Sequence, residues 1–137
     1  MSDRRIDAFF YGLFMDGEIL RKAGVEPTSP RRAYVDGFTL RIGQRATLVP
    51  SAGDRAYGML FALTHQELVR LYAAPGLEQY QSEAVLAQPL VGTPLPALCY
   101  NLRDAPQPHE RNPEYAGQLQ RVLRELDFPE EYVASVS

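Results

Sequence analysis

Residues 9–15, with the sequence FFYGLFM, have the residue types and spacing of a binding loop. The aromatic start is typical of a buried β-strand, and Gly12 stops that strand just before residues that can begin a helix. A strand that passes through a glycine turn into a helix leaves backbone N–H groups unpaired, and these can hold a carboxylate or a developing oxyanion. The segment is equally compatible with a tight turn that merely needs glycine.

The other residues that commonly carry chemistry are poorly placed to do so. His65 and His109 have no cysteine or carboxylate at metal-ligand spacing around them, so we predict no metal site and no cofactor. The sequence contains no nucleophile-elbow, phosphate-loop or dinucleotide-binding motif. Cys99 lies in an apolar stretch without a neighbouring histidine, and we expect it to be a core residue rather than a nucleophile.

Composition narrows the class of protein. The chain has 137 residues, of which 45% are hydrophobic and 23% charged, and this indicates one globular domain over residues 1–137. The 14 basic and 17 acidic residues give a net charge of −3, which argues against a nucleic-acid partner. No apolar run approaches the roughly 18 residues of a membrane helix, and the first residues form no secretory signal core. With a single cysteine, the chain fits a reducing cytoplasm.

The strands and helices that would position the loop are predicted from hydrophobic periodicity and from the glycines and prolines that interrupt it. Five or six strands are predicted, at residues 6–11, 33–42, 46–49, 55–63, 80–88 and 96–102. Three helices are predicted, at residues 15–23, 66–72 and 114–126, and Thr64 with Glu67 has capping-box spacing before the second. Because strands and helices do not alternate regularly, we expect an α+β domain with a mostly antiparallel, barrel-like sheet packed by helices.

Short motifs in the same order along nearly the whole chain resemble those of a known family. They are Tyr11-Gly12 with Met15, RAYVDGFTL at 32–40, the strand ending at Pro50, YGMLFAL at 57–63, Tyr80 with Val85, Tyr100, and the tail from Pro113 to Tyr132. On these motifs the chain resembles the γ-glutamylcyclotransferase superfamily, which includes the AIG2-like proteins.

The resemblance implies a small mixed barrel with a pocket that binds a γ-glutamyl compound and releases 5-oxoproline. In that reaction the substrate's α-amine attacks its own γ-carbonyl and expels the attached amine, which requires a base, oxyanion donors and an acid. The implied substrate-binding residues are Tyr11, Gly12, Leu13, Phe14, Tyr80 and Tyr100. The two later tyrosines are also compatible with a role as sheet-core aromatics.

The sequence departs from the family pattern at the acid/base position. Aligned on Leu71, Gly76 and Tyr80, the position of the family's glutamate is occupied by Pro75, which has no titratable group. Glu78 is the nearest carboxylate on the same predicted loop, and we predict it as the substitute acid/base.

The binding loop and the arginines leave further alternatives open. Leu13 and Phe14 stand where the family often has small or polar residues, so they either make the pocket less polar or pack in the core. Arg31, Arg32, Arg41 and Arg45 either offer a guanidinium to a substrate carboxylate or lie on solvated faces.

Two hypotheses of different classes remain at this level. In the first, the chain is an enzyme that acts on a γ-glutamyl amine or amide, with Glu78 as acid/base. In the second, it keeps the fold and the pocket but binds a small ligand or a protein partner without turnover, as the proline at the acid/base position suggests. A third alternative is a structural dimer subunit whose pocket is filled by Phe14. Neither a nucleic acid nor a membrane is expected as a partner, and the chain is expected to be a monomer or a homodimer.

Overall fold

Five β-strands close into a barrel in the computed structural model, which describes residues 4–137. Three residues of the predicted 1–137 domain therefore lie outside the described range. The strands are β1 (Arg5–Phe10), β2 (Thr28–Ile42), β3 (Ala46–Thr64), β4 (Tyr80–Pro89) and β5 (Leu95–Leu102). Their order around the barrel is β1-β3-β2-β4-β5. The predicted α+β class with a mostly antiparallel, barrel-like sheet is confirmed.

The barrel closes where β5 returns to β1. These two strands pair in parallel at Ala8–Leu98 and Phe9–Cys99, whereas every other neighbouring pair of described strands is antiparallel. Closure removes the unpaired edges that an open sheet would present. It also brings the end of β1 beside β5, although the two are about 90 residues apart in sequence, as the pairing of Ala8 with Leu98 shows.

The described residues also form four α-helices and one 3₁₀ turn outside the barrel strands. The 3₁₀ turn (Leu13–Met15) follows β1 and leads into α1 (Gly17–Lys22). Helix α2 (His65–Tyr72) begins directly after β3 with the predicted capping box, since Thr64 and Glu67 exchange side-chain to backbone hydrogen bonds. Helix α3 (Pro113–Glu125) and helix α4 (Glu130–Ser135) end the chain.

The predicted boundary between the third and fourth strands is wrong. Residues 46–49 and 55–63 were expected to form two strands, but both belong to the 19-residue β3. The pairing with β2 jumps from Asp36–Arg55 to Phe38–Pro50, so residues 51–54 bulge out of the ladder without ending it. Gly53 and the preceding Pro50 are as typical of a turn as of a bulge, so the sequence alone predicts a break here.

The helix predictions also needed correction at two places. The first helix was expected from residue 15, but it begins at Gly17, because the Asp16 carboxylate accepts the Glu18 N–H at 3.0 Å and caps the helix there. Helix α4 was not predicted, since six residues are too few for a clear periodic signal.

One apolar core fills the barrel and the space under the helices. Leu60 and Leu63 of β3, Leu68 of α2, and Leu119 and Leu123 of α3 are fully buried. Each such side chain contributes about 1.5–3 kcal/mol on leaving water, so the burial of the α3 face holds this helix against the barrel. Among residues 4–137, no helix is both long and apolar enough to cross a membrane.

Candidate functional site

A cavity of about 290 Å³ lies beside the segment that joins β1 to α1. This volume is near the lower end of the roughly 300–1,000 Å³ typical of small-molecule sites. Its apolar lining comes from β1, the 3₁₀ turn, α1 and the turn after α2: Phe9, Phe10, Leu13, Phe14, Ile19 and Leu77. The cavity is therefore the size of one small molecule, and Phe14 forms part of its wall and does not fill it.

The loop at the end of β1 is held by helix α3. The Tyr115 hydroxyl accepts the Leu13 N–H at 3.4 Å, and a Cβ at position 12 would lie 2.6 Å from the same oxygen. A side chain at position 12 would therefore have to displace Tyr115. The N–H groups of Gly12 and Phe14 donate to no acceptor within residues 4–137, so they are available to a ligand carbonyl.

Aromatic rings form a wall of the cavity. Tyr72, the last residue of α2, stacks on Tyr100 with ring centroids 3.9 Å apart and planes 10° apart. The Tyr72 ring also contacts Tyr80 at 5.8 Å and meets the Phe14 ring edge-on at 6.1 Å. The Phe14 contact has the edge-on geometry that aromatic pairs prefer, and the three contacts together hold these rings as one unit.

The tyrosine hydroxyls of the site are protonated groups. Burial raises the pKa of Tyr11 and Tyr72 well above the ordinary value, and burial likewise raises the pKa of Tyr80 and Tyr115. At neutral pH these phenols can donate or accept hydrogen bonds, but they are poor bases. The Tyr11 hydroxyl already donates to the Tyr100 carbonyl at 2.6 Å, and the Tyr80 hydroxyl donates to the Ala46 carbonyl.

Arg45 is the one charged residue among the described residues that line the cavity. It lies just before β3, and its guanidinium packs on Gly76, where a Cβ would overlap it. Within residues 4–137 no carboxylate oxygen lies within 4 Å of this guanidinium. Its five donors suit the planar, bidentate binding of a carboxylate. Arg45 is therefore a cation without a protein counter-ion at the mouth of the cavity.

A second, more polar hollow of about 380 Å³ adjoins the cavity, and we call it the outer hollow. Gln44 and Arg45 line both spaces, while Asp104 and Glu110 line only the outer hollow. The Glu110 carboxylate accepts the Gln107 N–H at 2.6 Å and is thus already engaged. Arg45 marks the boundary between an apolar interior and a polar exterior.

The predicted acid/base, Glu78, lies away from the cavity. Pro75 and Glu78 are both exposed in the turn between α2 and β4, and neither lines the cavity. Glu83 is on β4, is exposed, and accepts a hydrogen bond from the Asn101 side-chain amide. No carboxylate of the described residues lines the cavity itself.

Cys99 is enclosed in the barrel core. Burial raises the pKa of its thiol to about 12, and the sulfur lies 3.9 Å from the Asn101 side-chain oxygen. A protonated, buried thiol packs as a small apolar group. The described residues also contain no group of three histidine, cysteine or carboxylate side chains arranged for a metal ion.

Five of the six predicted binding residues line the cavity: Tyr11, Gly12, Leu13, Phe14 and Tyr80. The sixth, Tyr100, lies behind Tyr72 and supports it by stacking. Sequence reasoning did not select Tyr72 or Tyr115, and it left Arg45 as one of four equivalent arginines. Of these four, Arg31 pairs with Asp7 at 2.7 Å, and Arg32 and Arg41 each donate to a backbone carbonyl. Only the fold distinguishes Arg45.

Together, the fold and the site define a small mixed barrel with a loop-bounded cavity after its first strand. The chain belongs to the AIG2-like gamma-glutamyl cyclotransferase family, whose model, described as "Gamma-glutamyl cyclotransferase, AIG2-like", matches residues 8–121. No curated protein matches the chain significantly by sequence.

Solved structures share the fold at low sequence identity. A structure titled "Gamma-glutamyl cyclotransferase" superposes with a TM-score of 0.77 at 18% identity, over 97% of this chain and 88% of that one. The structure of an uncharacterized protein from Homo sapiens superposes with a TM-score of 0.76 at 20% identity, over 98% of this chain and 89% of that one. The structure of a yeast gamma-glutamyl cyclotransferase specific to glutathione superposes with a TM-score of 0.66 at 13% identity, over 98% of this chain and 94% of that one. At these identities the similarity concerns the fold.

Proposed function

We propose that this chain is a ligand-binding member of its family, which holds a small carboxylate-bearing amide in the cavity and does not convert it to 5-oxoproline. The observation that carries the proposal is that Arg45 is the one charged residue among the described residues lining the cavity. At the position of the family's glutamate the chain has Pro75, and the nearby Glu78 is exposed outside the lining.

The chemistry of ring closure explains why this lining favours binding over turnover. The substrate's α-ammonium must lose a proton before it can attack, and the departing amine must gain one. A carboxylate with a raised pKa can do both, but phenols that keep their protons and a guanidinium cannot accept a proton at neutral pH. The cavity therefore lacks, within residues 4–137, a side chain suited to the proton transfers.

The same lining supports the binding of an amide that carries a carboxylate. The carboxylate pairs with the Arg45 guanidinium, since the cavity mouth offers this cation no protein partner. The amide carbonyl accepts hydrogen bonds from the N–H groups of Gly12 and Phe14. The rings of Tyr72 and Phe14 cover the apolar part of the ligand.

The test is to measure 5-oxoproline release and binding on a panel of γ-glutamyl amines and amides. We expect the wild-type protein to bind members of the panel without releasing 5-oxoproline above the uncatalysed rate. Because position 75 is exposed outside the lining, we expect Pro75→Glu to release no more 5-oxoproline than Ala74→Glu, a neighbouring exposed position that is the matched control.

Two outcomes would contradict the proposal. Wild-type release of 5-oxoproline that Glu78→Gln abolishes would establish the enzyme hypothesis with Glu78 as acid/base. Absence of binding both to every panel member and to the matching amides that lack the α-amine, by calorimetry up to millimolar concentration, would remove the ligand-binding function itself.

A further inference from the structure

The charge in the cavity is unsuited to a zwitterionic ligand. A γ-glutamyl group carries an α-ammonium next to its α-carboxylate, so a carboxylate bound by Arg45 would bring the ammonium close to the guanidinium. Like charges repel one another, and the repulsion is stronger at the half-buried Arg45 than it would be in bulk water. The described lining holds no carboxylate that would offset this repulsion.

Three backbone carbonyls at the cavity each already accept a hydrogen bond. The Gly12 carbonyl accepts the Met15 N–H at 3.0 Å, and the Leu13 carbonyl accepts the Asp16 N–H at 3.1 Å. The Ala46 carbonyl accepts the Tyr80 hydroxyl. An ammonium has three donors and needs acceptors for them when it leaves water, because unsatisfied donors are costly to bury.

The rest of the wall suits an apolar or aromatic body. Leu13 and Phe14 of the loop face the same cavity as Phe10, Ile19 and Leu77. Tyr72, which stacks on Tyr100, adds an aromatic ring to the same lining. An aromatic ring that enters this space would be covered on several sides by rings and methyl groups.

From these observations we infer that the cavity selects carboxylates that have an apolar or aromatic body and no α-ammonium, in preference to γ-glutamyl zwitterions. The inference rests on the proposed function, because it names the ligand class of the same site. It also agrees with Pro75, since a ligand without an amine has no group that could close the ring.

A matched pair of ligands tests the inference by isothermal titration calorimetry on the full chain. The pair is γ-glutamyl benzylamide and glutaryl benzylamide, which differ only in the α-ammonium. We expect the glutaryl compound to bind at least about tenfold more tightly, because it avoids the like-charge contact. Butanoyl benzylamide, which lacks the carboxylate, is expected to bind at least about tenfold more weakly than the glutaryl compound.

Variants of Arg45 connect the preference to the guanidinium. We expect Arg45→Gln to lower the affinity for glutaryl benzylamide by about tenfold or more. The affinities for the two compounds should then differ by no more than about threefold. Arg45→Lys keeps the positive charge and therefore keeps the preference, even if Arg45→Gln fails to fold. Arg121→Gln, an exposed position on α3, is the matched control and should leave both affinities unchanged.

The outcomes separate the inference from the proposed function. Equal or tighter binding of γ-glutamyl benzylamide would overturn the inference. If no 5-oxoproline were released in that case, the proposed function would still stand. Absence of binding for both compounds would overturn the inference and the ligand-binding function together.

Discussion

The Tyr115 hydroxyl accepts the Leu13 N–H at 3.4 Å, across 102 positions of sequence. Helix α3 thereby fixes the loop that bounds the cavity. The same oxygen would lie 2.6 Å from a Cβ at position 12, so the contact also determines which residue the loop can contain. The geometry of the candidate site thus depends on the docking of the C-terminal helix.

Gly12→Ala tests this close approach. We expect it to lower the free energy of unfolding by about 1–3 kcal/mol, because the new methyl group must displace Tyr115 or the loop. In a Tyr115→Phe background the oxygen is gone, and the added cost should fall below about 1 kcal/mol, which urea unfolding of the double-mutant cycle measures.

Gly117→Ala is the control for this cycle, since no atom lies within 4 Å of its new Cβ on α3. We expect it to raise the free energy of unfolding by about 0.5–1 kcal/mol, because alanine is more favourable than glycine within a helix. An equal cost of Gly12→Ala in both backgrounds would contradict the role assigned to the Tyr115 oxygen.

Tyr11→Phe removes the hydroxyl that donates to the Tyr100 carbonyl at 2.6 Å. We expect a loss of about 1–3 kcal/mol in stability, because a buried carbonyl is left unpaired. Tyr132→Phe is the matched control, since its buried hydroxyl has no hydrogen-bond partner within residues 4–137 and its removal should be neutral or stabilising. Equal losses in both variants, measured by thermal unfolding, would show that the Tyr11 bond contributes little.

Because of Glu67, the stability of the N-terminal end of helix α2 depends on pH. Its carboxylate accepts the N–H groups of Thr64 at 2.9 Å and Glu26 at 2.7 Å. Burial raises its pKa, but these backbone hydrogen bonds outweigh burial and hold the pKa below the ordinary value of 4.5. The folded state therefore favours the ionised form, so the stabilisation is present above about pH 4.5 and is lost as the pH falls through the lower folded pKa.

Glu67→Gln should accordingly lower the free energy of unfolding by about 1–2 kcal/mol at pH 7, and the difference from wild type should shrink toward pH 3. Urea unfolding across this pH range measures it. Glu125→Gln, an exposed position at the end of α3, should change stability by less than about 0.5 kcal/mol. A difference that stays constant from pH 7 to pH 3 would rule out the carboxylate as its source.

The Cys99 thiol should be unreactive in the folded protein. Burial raises its pKa to about 12, so the reactive thiolate is scarce at pH 8 and the sulfur is also covered. We expect iodoacetamide to leave the native protein unmodified, as followed by mass spectrometry, and to alkylate it rapidly in guanidinium chloride. Rapid alkylation of the native protein would contradict the enclosed position.

Much of the fold was predictable because its signals are local. The aromatic run before Gly12 defined β1, and the spacing of Thr64 and Glu67 defined the start of α2. Residues 51–54 misled the strand prediction, since a bulge inside β3 depends on its pairing with β2 and not on the composition of the bulge itself.

The candidate site was predictable only in part, for the same reason. The loop residues from Tyr11 to Phe14 are contiguous and could be recognised together, whereas Tyr72, Tyr115 and Arg45 reach the cavity from three separate segments. Nothing near Arg45 in sequence distinguishes it from the other arginines.

By itself, the sequence determined the barrel class, the loop after the first strand and the proline at the family's acid/base position, because strand and helix periodicity, turn residues and residue identity are local properties. Only the tertiary structure decided that Arg45 is the charge in the cavity, that Tyr115 holds the loop and that Glu78 is exposed. Those relationships arise when closure of the barrel and burial of the α3 face bring distant segments together.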